Sequence, residues 1–515
     1  MSDNLLSNKR IAKNSIFLSI RMVIVLAITL YTTRVLLQVL GVVDYGVYNV
    51  VCGFVLLFGF LNTSMSNGIQ RFFNYEYGLK GEEGAKKVYC TSVIIQIILA
   101  AIVVILIESF GLWYLHNKMV IPEERLVAAE WIFHFSIVSF VFGILQAPYS
   151  AAVTAHERFD FYAIISVIDA VLKLLFVLLL RIVPQDKLIL YSLSITIVSL
   201  LNYLVYYVFC KIKFNEISFA LNFFERPLFK KMLGFSGWNL FGSLSGVMEV
   251  QGINLVLNFF FGPVVNAARG VATQVNAGVL SFVGNITTPV RPQVTQSYAK
   301  GEIQRTISLT YSVSKLSSAI ILMLSIPACV EINYLLNIWL GDSVPDHAAT
   351  FTILVLATQL VNSLNTSISH VVHATGIMKD YQLWGSIIRL CSIPTAIILI
   401  KIYALPELAL FAVLICSCFA HIVGLFIVRK LVSLSLTSYM KEVAWPVFLA
   451  SIIGVILVWL PHYFLLEGIL RLLLVCICSL LVVSLIFYYL VFDNTERKLV
   501  SQLLGPIISR FKIFN

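Results

Sequence analysis

Gly41-Val42-Val43-Asp44-Tyr45 closes the first apolar run of the chain, and Gly262-Pro263-Val264-Val265-Asn266 closes the seventh. Their Val-Val-Asp/Asn core recurs at an offset of 222 residues. Tyr77-Gly-Leu-Lys80-Gly81-Glu82 follows the second run, and Tyr298-Ala-Lys300-Gly301-Glu302 follows the eighth, offset by 220 to 221. Two matches at one spacing, each at the same place in the helix order, read as a duplicated unit of six helices. Six is even, so the two copies have parallel topology about an axis along the membrane normal.

An apolar stretch of about 20 residues spans a bilayer as a helix. Fourteen such stretches run at about 12–33, 42–63, 88–115, 127–149, 162–183, 188–210, 233–261, 264–290, 305–328, 350–373, 381–402, 405–428, 443–461 and 468–491. The fold expected is an all-α polytopic membrane protein. Residues 1–210 form an N-terminal six-helix lobe, 211–232 a cytoplasmic connector, and 233–430 a C-terminal six-helix lobe. Residues 431–515 supply two additional helices and a cytoplasmic tail.

Composition says the same. The chain has 515 residues, 59% hydrophobic and 12% charged, where a soluble chain carries roughly 25% charge. That excludes a soluble multidomain enzyme and a disordered or disulfide-stapled secreted protein. The formal charge of +10 comes from Lys and Arg in short loops, which reads as topology and not as nucleic-acid binding. Counting those loops gives 24 basic residues on the side of the N-terminus. The opposite side has seven: Arg34, Lys118, Arg125, Arg181, Lys187, Lys401 and Arg471. Both termini are therefore expected in the cytoplasm. Single cysteines at positions 80 and 300 should be labelled only from the cytoplasmic side, and one at 118 from outside. Labelling of position 300 in intact cells would overturn this orientation.

Nine cysteines lack CxxC spacing, and Cys416/Cys418 and Cys476/Cys478 are two apart in apolar runs. Residues two apart face different ways on a helix, so no disulfide, zinc or other metal is expected. No GxxxxGK[ST] phosphate loop is present, and no cofactor is expected.

Five basic residues lie within spans: Arg21, Lys173, Arg269, Lys315 and Arg389, against Asp169 and Glu249. Ionisable groups there are costly and are candidate functional residues. Arg holds its charge and offers forked donors suited to a diphosphate. Arg21 and Arg389 lie too deep to reach the headgroups, whereas Arg34 at a helix end either snorkels or binds substrate. Asp169 and Lys173 share a helix face at i, i+4, either as an internal neutralising pair or with Lys173 held for phosphate. Lys315 lacks a close sequence partner and reads as reaching cytoplasmic water or as half of a charge pair. Glu249 pairs with Arg269, Arg389 or Arg21, or binds a proton or cation. Asn254, Asn258 and Gln274, with Asn239, Gln251, Asn276 and Asn285, crowd the seventh and eighth spans. Such amides suit sugar hydroxyls or hydrogen-bond helix to helix.

The plan of six plus six plus two helices resembles the multidrug/oligosaccharidyl-lipid/polysaccharide exporter superfamily. Within it the chain is similar to the Wzx-type polysaccharide (O-antigen) flippases. The residues that carry this are Arg34 to Tyr48, which resemble the family's first extracellular turn, and Ala299-Lys-Gly-Glu302 after Pro289 and Pro292. The resemblance implies export of an undecaprenyl-diphosphate-linked glycan to the periplasmic leaflet of the bacterial inner membrane, for surface polysaccharide such as lipopolysaccharide. Membrane lipid and other polysaccharide assembly proteins are the candidate partners. The related peptidoglycan-precursor flippases carry arginines in helices 1 and 8, which points to Arg21 and Arg269. The alternatives are a cation-coupled multidrug exporter of the same superfamily and a membrane polymerase or glycosyltransferase. The exporter needs an acidic site in the N-terminal half, where helix 1 offers Arg21. The enzyme needs a sizeable loop domain with clustered carboxylates, which the sequence lacks.

Overall fold

A computed structural model describes the backbone of residues 2–497, apart from 157, 288–289 and 495. Side chains are described from residue 21 onward, except at those positions and at 78, 236, 238–239, 285–287, 291–293, 296 and 299. Asn239, Asn285, the basic side chains of the N-terminus and the tail after 497 therefore lie outside the described residues.

The α-helices of ten or more residues, in chain order, begin with α1 (Ser2–Leu56), α2 (Gly59–Leu106), α3 (Leu126–Ala155), α4 (Phe159–Leu179) and α5 (Lys187–Lys213). Next come α6 (Arg226–Phe261), α7 (Pro263–Thr287), α8 (Val290–Ala299), α9 (Ile303–Val330) and α10 (Ala348–Thr375). The last are α11 (Lys379–Leu390), α12 (Ser392–Tyr403), α13 (Glu407–Val432), α14 (Trp445–Phe464) and α15 (Ile469–Ile486). No strand occurs among the described residues. Among the described residues, twelve helical segments are long and apolar enough to cross a membrane, so this is a multi-pass membrane protein. The other two expected spans are present but differently packaged. Residues 42–63 are divided between the end of α1 beyond its break at Gly41 and the start of α2. Helix α7 carries Asn266, Arg269, Gln274 and Asn276 and is too polar to qualify by hydropathy.

The two quoted motifs mark matching backbone breaks. Gly41 (φ 78°, ψ 171°) splits α1, and Gly262 (φ 79°, ψ −172°) separates α6 from α7. A side chain at this positive φ clashes with its own backbone, so only glycine turns the chain there without strain. Gly81 and Gly301, at the second pair of motifs, also take positive φ.

The chain divides into two compact units. The first comprises residues 1–271, 339–348 and 389–412, and the second the remainder. In the first, Phe54, Ile69, Phe73, Val88, Ile132 and Phe133 form the centre of one core built from α1, α2 and α3. Gly46 lies so close to Pro263 that a Cβ would overlap the proline carbonyl, which lets α1 run tight against the start of α7. In the second, α14 and α15 bury Val447, Ala450, Val458, Val475 and Val483 against Ala319 and Ile326 of α9. Their opposite faces leave Ile456, Leu473, Ile477 and Leu481 exposed, as a lipid-facing surface requires.

Asp44 of the first motif is buried and ion-paired to Arg125 at 2.6 Å. Arg125 also reaches Asp186 at 2.7 Å, and Asp186 caps α5 by accepting from the Leu188 and Ile189 amides. One guanidinium thus ties three chain turns together. Arg125→Met should lower the melting temperature of the detergent-solubilised protein, at a cost of about 1–3 kcal/mol for stranding Asp44. An unchanged melting curve would show that the clip contributes nothing.

Candidate functional site

Among the described residues, the candidate charges of the first unit's spans fall into two groups, apart from Arg34, Asp44 and Glu108. Four cations, Arg21, Lys173, Arg269 and Arg389, face two carboxylates, Asp169 and Glu249. Burial makes that imbalance chemically consequential, because an unpaired charge at low dielectric attracts an opposite charge strongly.

The first group forms where α1 packs on α4. Arg21 Nε donates to Ser166 Oγ at 2.5 Å, and its Nη2 donates to Tyr162 Oη at 3.4 Å. Its guanidinium carbon lies 4.5 Å from the Tyr162 ring centroid, a cation–π arrangement. These partners are neutral; among the described residues no carboxylate ion-pairs with Arg21. One helical turn further on, Lys173 Nζ lies 2.8 Å from Asp169. Asn202 of α5 donates to the other Asp169 oxygen at 2.6 Å. Both carboxylate oxygens are therefore occupied, and the pair is internally neutralised.

The second group joins α6, α7 and α11. Glu249 lies within electrostatic reach of Arg389 and, more weakly, of Arg269. It makes no ion pair within 4 Å among the described residues. Arg21 is not among its neighbours, so the expected alternative of Arg21 neutralising Glu249 is not what the structure builds. Arg269 is only 7% exposed, and its Nε has no hydrogen-bond partner among the described residues. A buried guanidinium with an idle donor is expensive unless a ligand completes it. Two arginines around one glutamate leave a net positive charge.

The amides of α6 divide by role. Asn258 donates to Val120 O at 3.1 Å and accepts from Val120 N at 2.9 Å. Its amide is thereby spent on pinning a loop and is not available to a sugar. Asn254 donates to Gln251 at 2.9 Å but keeps a buried oxygen with no partner among the described residues. Asn266 donates to the Asn254 carbonyl at 2.8 Å. Gln274 is half-buried and falls in the second unit. Arg34 is half-buried in α1 and partnered.

Lys315 departs from the expectation that it reaches cytoplasmic water. Its side chain is 2% exposed, and Nζ lies 3.0 Å from Glu496. Ser312 Oγ and the Asp493 amide also donate to Glu496, which makes this a structural charge pair of the second unit. Sequence reasoning missed a comparable cluster, in which buried Glu331 accepts from Arg471 at 2.6 Å and meets His462 at 2.9 Å. Arg471 reads as a loop residue because it opens an apolar run. The signal available was an acid at one helix end and a base at another on the same side.

Comparison with known proteins agrees with the helix plan. Residues 18–179 match the family described as MatE. The uncharacterized membrane protein EpsK of Bacillus subtilis (strain 168) is 20% identical over 319 residues. That alignment takes in 61% of this chain and 62% of EpsK, less than two thirds of its length. Among solved structures, the lipid II flippase MurJ in an inward closed conformation superposes with a TM-score of 0.68 at 15% identity. It covers 96% of this chain and all of MurJ. An inward-facing multidrug resistance MATE transporter gives a TM-score of 0.63 at 15% identity, covering 80% of this chain and 98% of that one. The chain has the fold these transporters share.

Proposed function

We propose that this protein is a flippase that carries a lipid-diphosphate-linked oligosaccharide from the cytoplasmic to the periplasmic leaflet of a bacterial inner membrane. The observation that carries the reading is the cationic group of Arg269 and Arg389 around Glu249, with its buried, incompletely partnered guanidinium. A diphosphate supplies the charge and the acceptor oxygens this group lacks. Arg21, stacked on Tyr162 and without an acidic partner among the described residues, supplies a second positive position. The lipid tail stays in the bilayer while headgroup and glycan move by alternating access. With the cytoplasm negative, an anion leaving it runs downhill by about 2.3 kcal/mol per charge per 100 mV. The work is transport and not bond chemistry, with surface-polysaccharide assembly proteins acting before and after it.

A cation-coupled multidrug exporter is the reading that the likeness to MATE transporters favours. The charges oppose it. Asp169 is occupied by Lys173 and Asn202, Glu249 lies within electrostatic reach of two arginines, and Glu108 meets His134 at 3.0 Å, so each of these carboxylates already has a basic neighbour. Thermal-shift titration separates the two. A polyprenyl diphosphate should stabilise the purified protein and ethidium should not. Stabilisation by ethidium alone would replace the flippase reading with the exporter one.

A further inference from the structure

Gln146, Ser150 and Thr154 lie at i, i+4 and i+8 on one face of α3, and Ser66 and Gln70 lie at i, i+4 on α2. These five side chains and Gly143 line a cavity of about 270 Å³ within the first unit. The diphosphate site has no use for it, since no charged residue lines it.

The lining defines what fits. A phosphate needs a cation and a metal or drug cation needs a carboxylate; neither is present. Gln70 and Gln146 have no hydrogen-bond partners among the described residues, so two amides offer both a donor and an acceptor. Thr154 donates to the Ser150 carbonyl at 2.9 Å and Ser66 donates to Asn62 at 3.3 Å. Both hydroxyl oxygens keep lone pairs free to accept. Helix-packing amides would bond across the interface and close the gap; here they flank open space. The volume falls just below the roughly 300–1,000 Å³ of clefts for drug-sized ligands, which suits one sugar ring and not an oligosaccharide. A second cavity of about 240 Å³ shares Gly143 with it and is lined by Tyr48 and Phe140, aromatic residues of the kind that pack on the apolar face of a sugar.

We infer that this cavity is a sugar subsite, which holds a neutral hexose or N-acetylhexosamine of the lipid-linked glycan by its hydroxyl and acetamido groups. The inference rests on the lipid-diphosphate reading above and names what that reading leaves unassigned, the glycan contact. Gly143 gives a clean probe, because an added Cβ there meets nothing within 4 Å. Gly143→Leu adds bulk at the cavity from a position where its Cβ has room, and Gln146→Leu removes an amide at similar volume.

Affinity of the full-length protein in nanodiscs is compared for bare polyprenyl diphosphate and for polyprenyl diphosphate bearing one N-acetylhexosamine. Wild-type protein should favour the sugar-bearing lipid by about tenfold, the equivalent of two ordinary hydrogen bonds. Gly143→Leu and Gln146→Leu should erase that preference and leave affinity for the bare lipid unchanged, whereas Arg269→Gln should weaken both lipids alike. Equal wild-type affinity for the two lipids, or a preference that survives both cavity variants, overturns the subsite while the flippase reading stands. Wild-type protein that binds neither lipid overturns both.

Discussion

Arg269→Gln should reduce surface-glycan output by a factor of about ten to a hundred, the equivalent of one buried charge–phosphate contact, at unchanged membrane levels. Arg269 is buried and its Nε idle among the described residues, so its loss strips the group of charge without breaking an ion pair seen there. Glutamine retains most of the volume and a donor, and Glu249 still faces Arg389. Arg21→Gln should lose most output as well, while Arg21→Lys keeps the charge but not the fork and should retain part of it. The two arginines contact different partners, Arg21 on α4 and Arg269 near α6. Energies of separate sites add. A double variant that loses less than the sum of the singles therefore reports a ligand that both arginines hold. Normal glycan display from a well-inserted Arg269→Gln protein would remove that residue from the site.

Lys315→Met should destabilise the protein by about 3–5 kcal/mol, the usual cost of stranding a buried charge. Lys315 is 2% exposed, and Glu496 would keep a carboxylate in place with only Ser312 and the Asp493 amide to hold it. Glu496→Gln removes the charge and retains most of the hydrogen-bonding shape. Lys315→Met/Glu496→Gln should accordingly recover most of the loss. Melting curves from fluorescence-detected gel filtration measure all three. A single variant as stable as wild type would mean that water reaches the pair.

The helix plan was legible because length and hydropathy report the bilayer directly. Gly41 and Gly262 stood out at one spacing, and their matched positive φ supplies the physical reason. The pair Asp169–Lys173 was legible too, since i, i+4 neighbours meet on any helix. What stayed hidden was contact between distant segments. Periodicity reports which face a residue occupies, not which helix covers that face. Lys315 therefore looked unpartnered although Glu496 lies 181 positions away, and Arg471 passed for a loop residue although it is buried against Glu331. Asn258 failed for a different reason. An amide that binds a backbone loop and one that binds a sugar are the same residue in sequence, and only the position of Val120 tells them apart.

The central claim is that a cationic site moves an anionic, glycan-bearing lipid. The direct measurement is translocation of a fluorescent polyprenyl-diphosphate oligosaccharide in proteoliposomes, read by quencher access to the far leaflet, under an imposed potential and with ethidium transport followed in parallel. The account predicts translocation of the lipid that is fastest when its starting side is negative, suppressed in Arg269→Gln, with no ethidium movement. Proton-driven ethidium transport with an immobile lipid would contradict it.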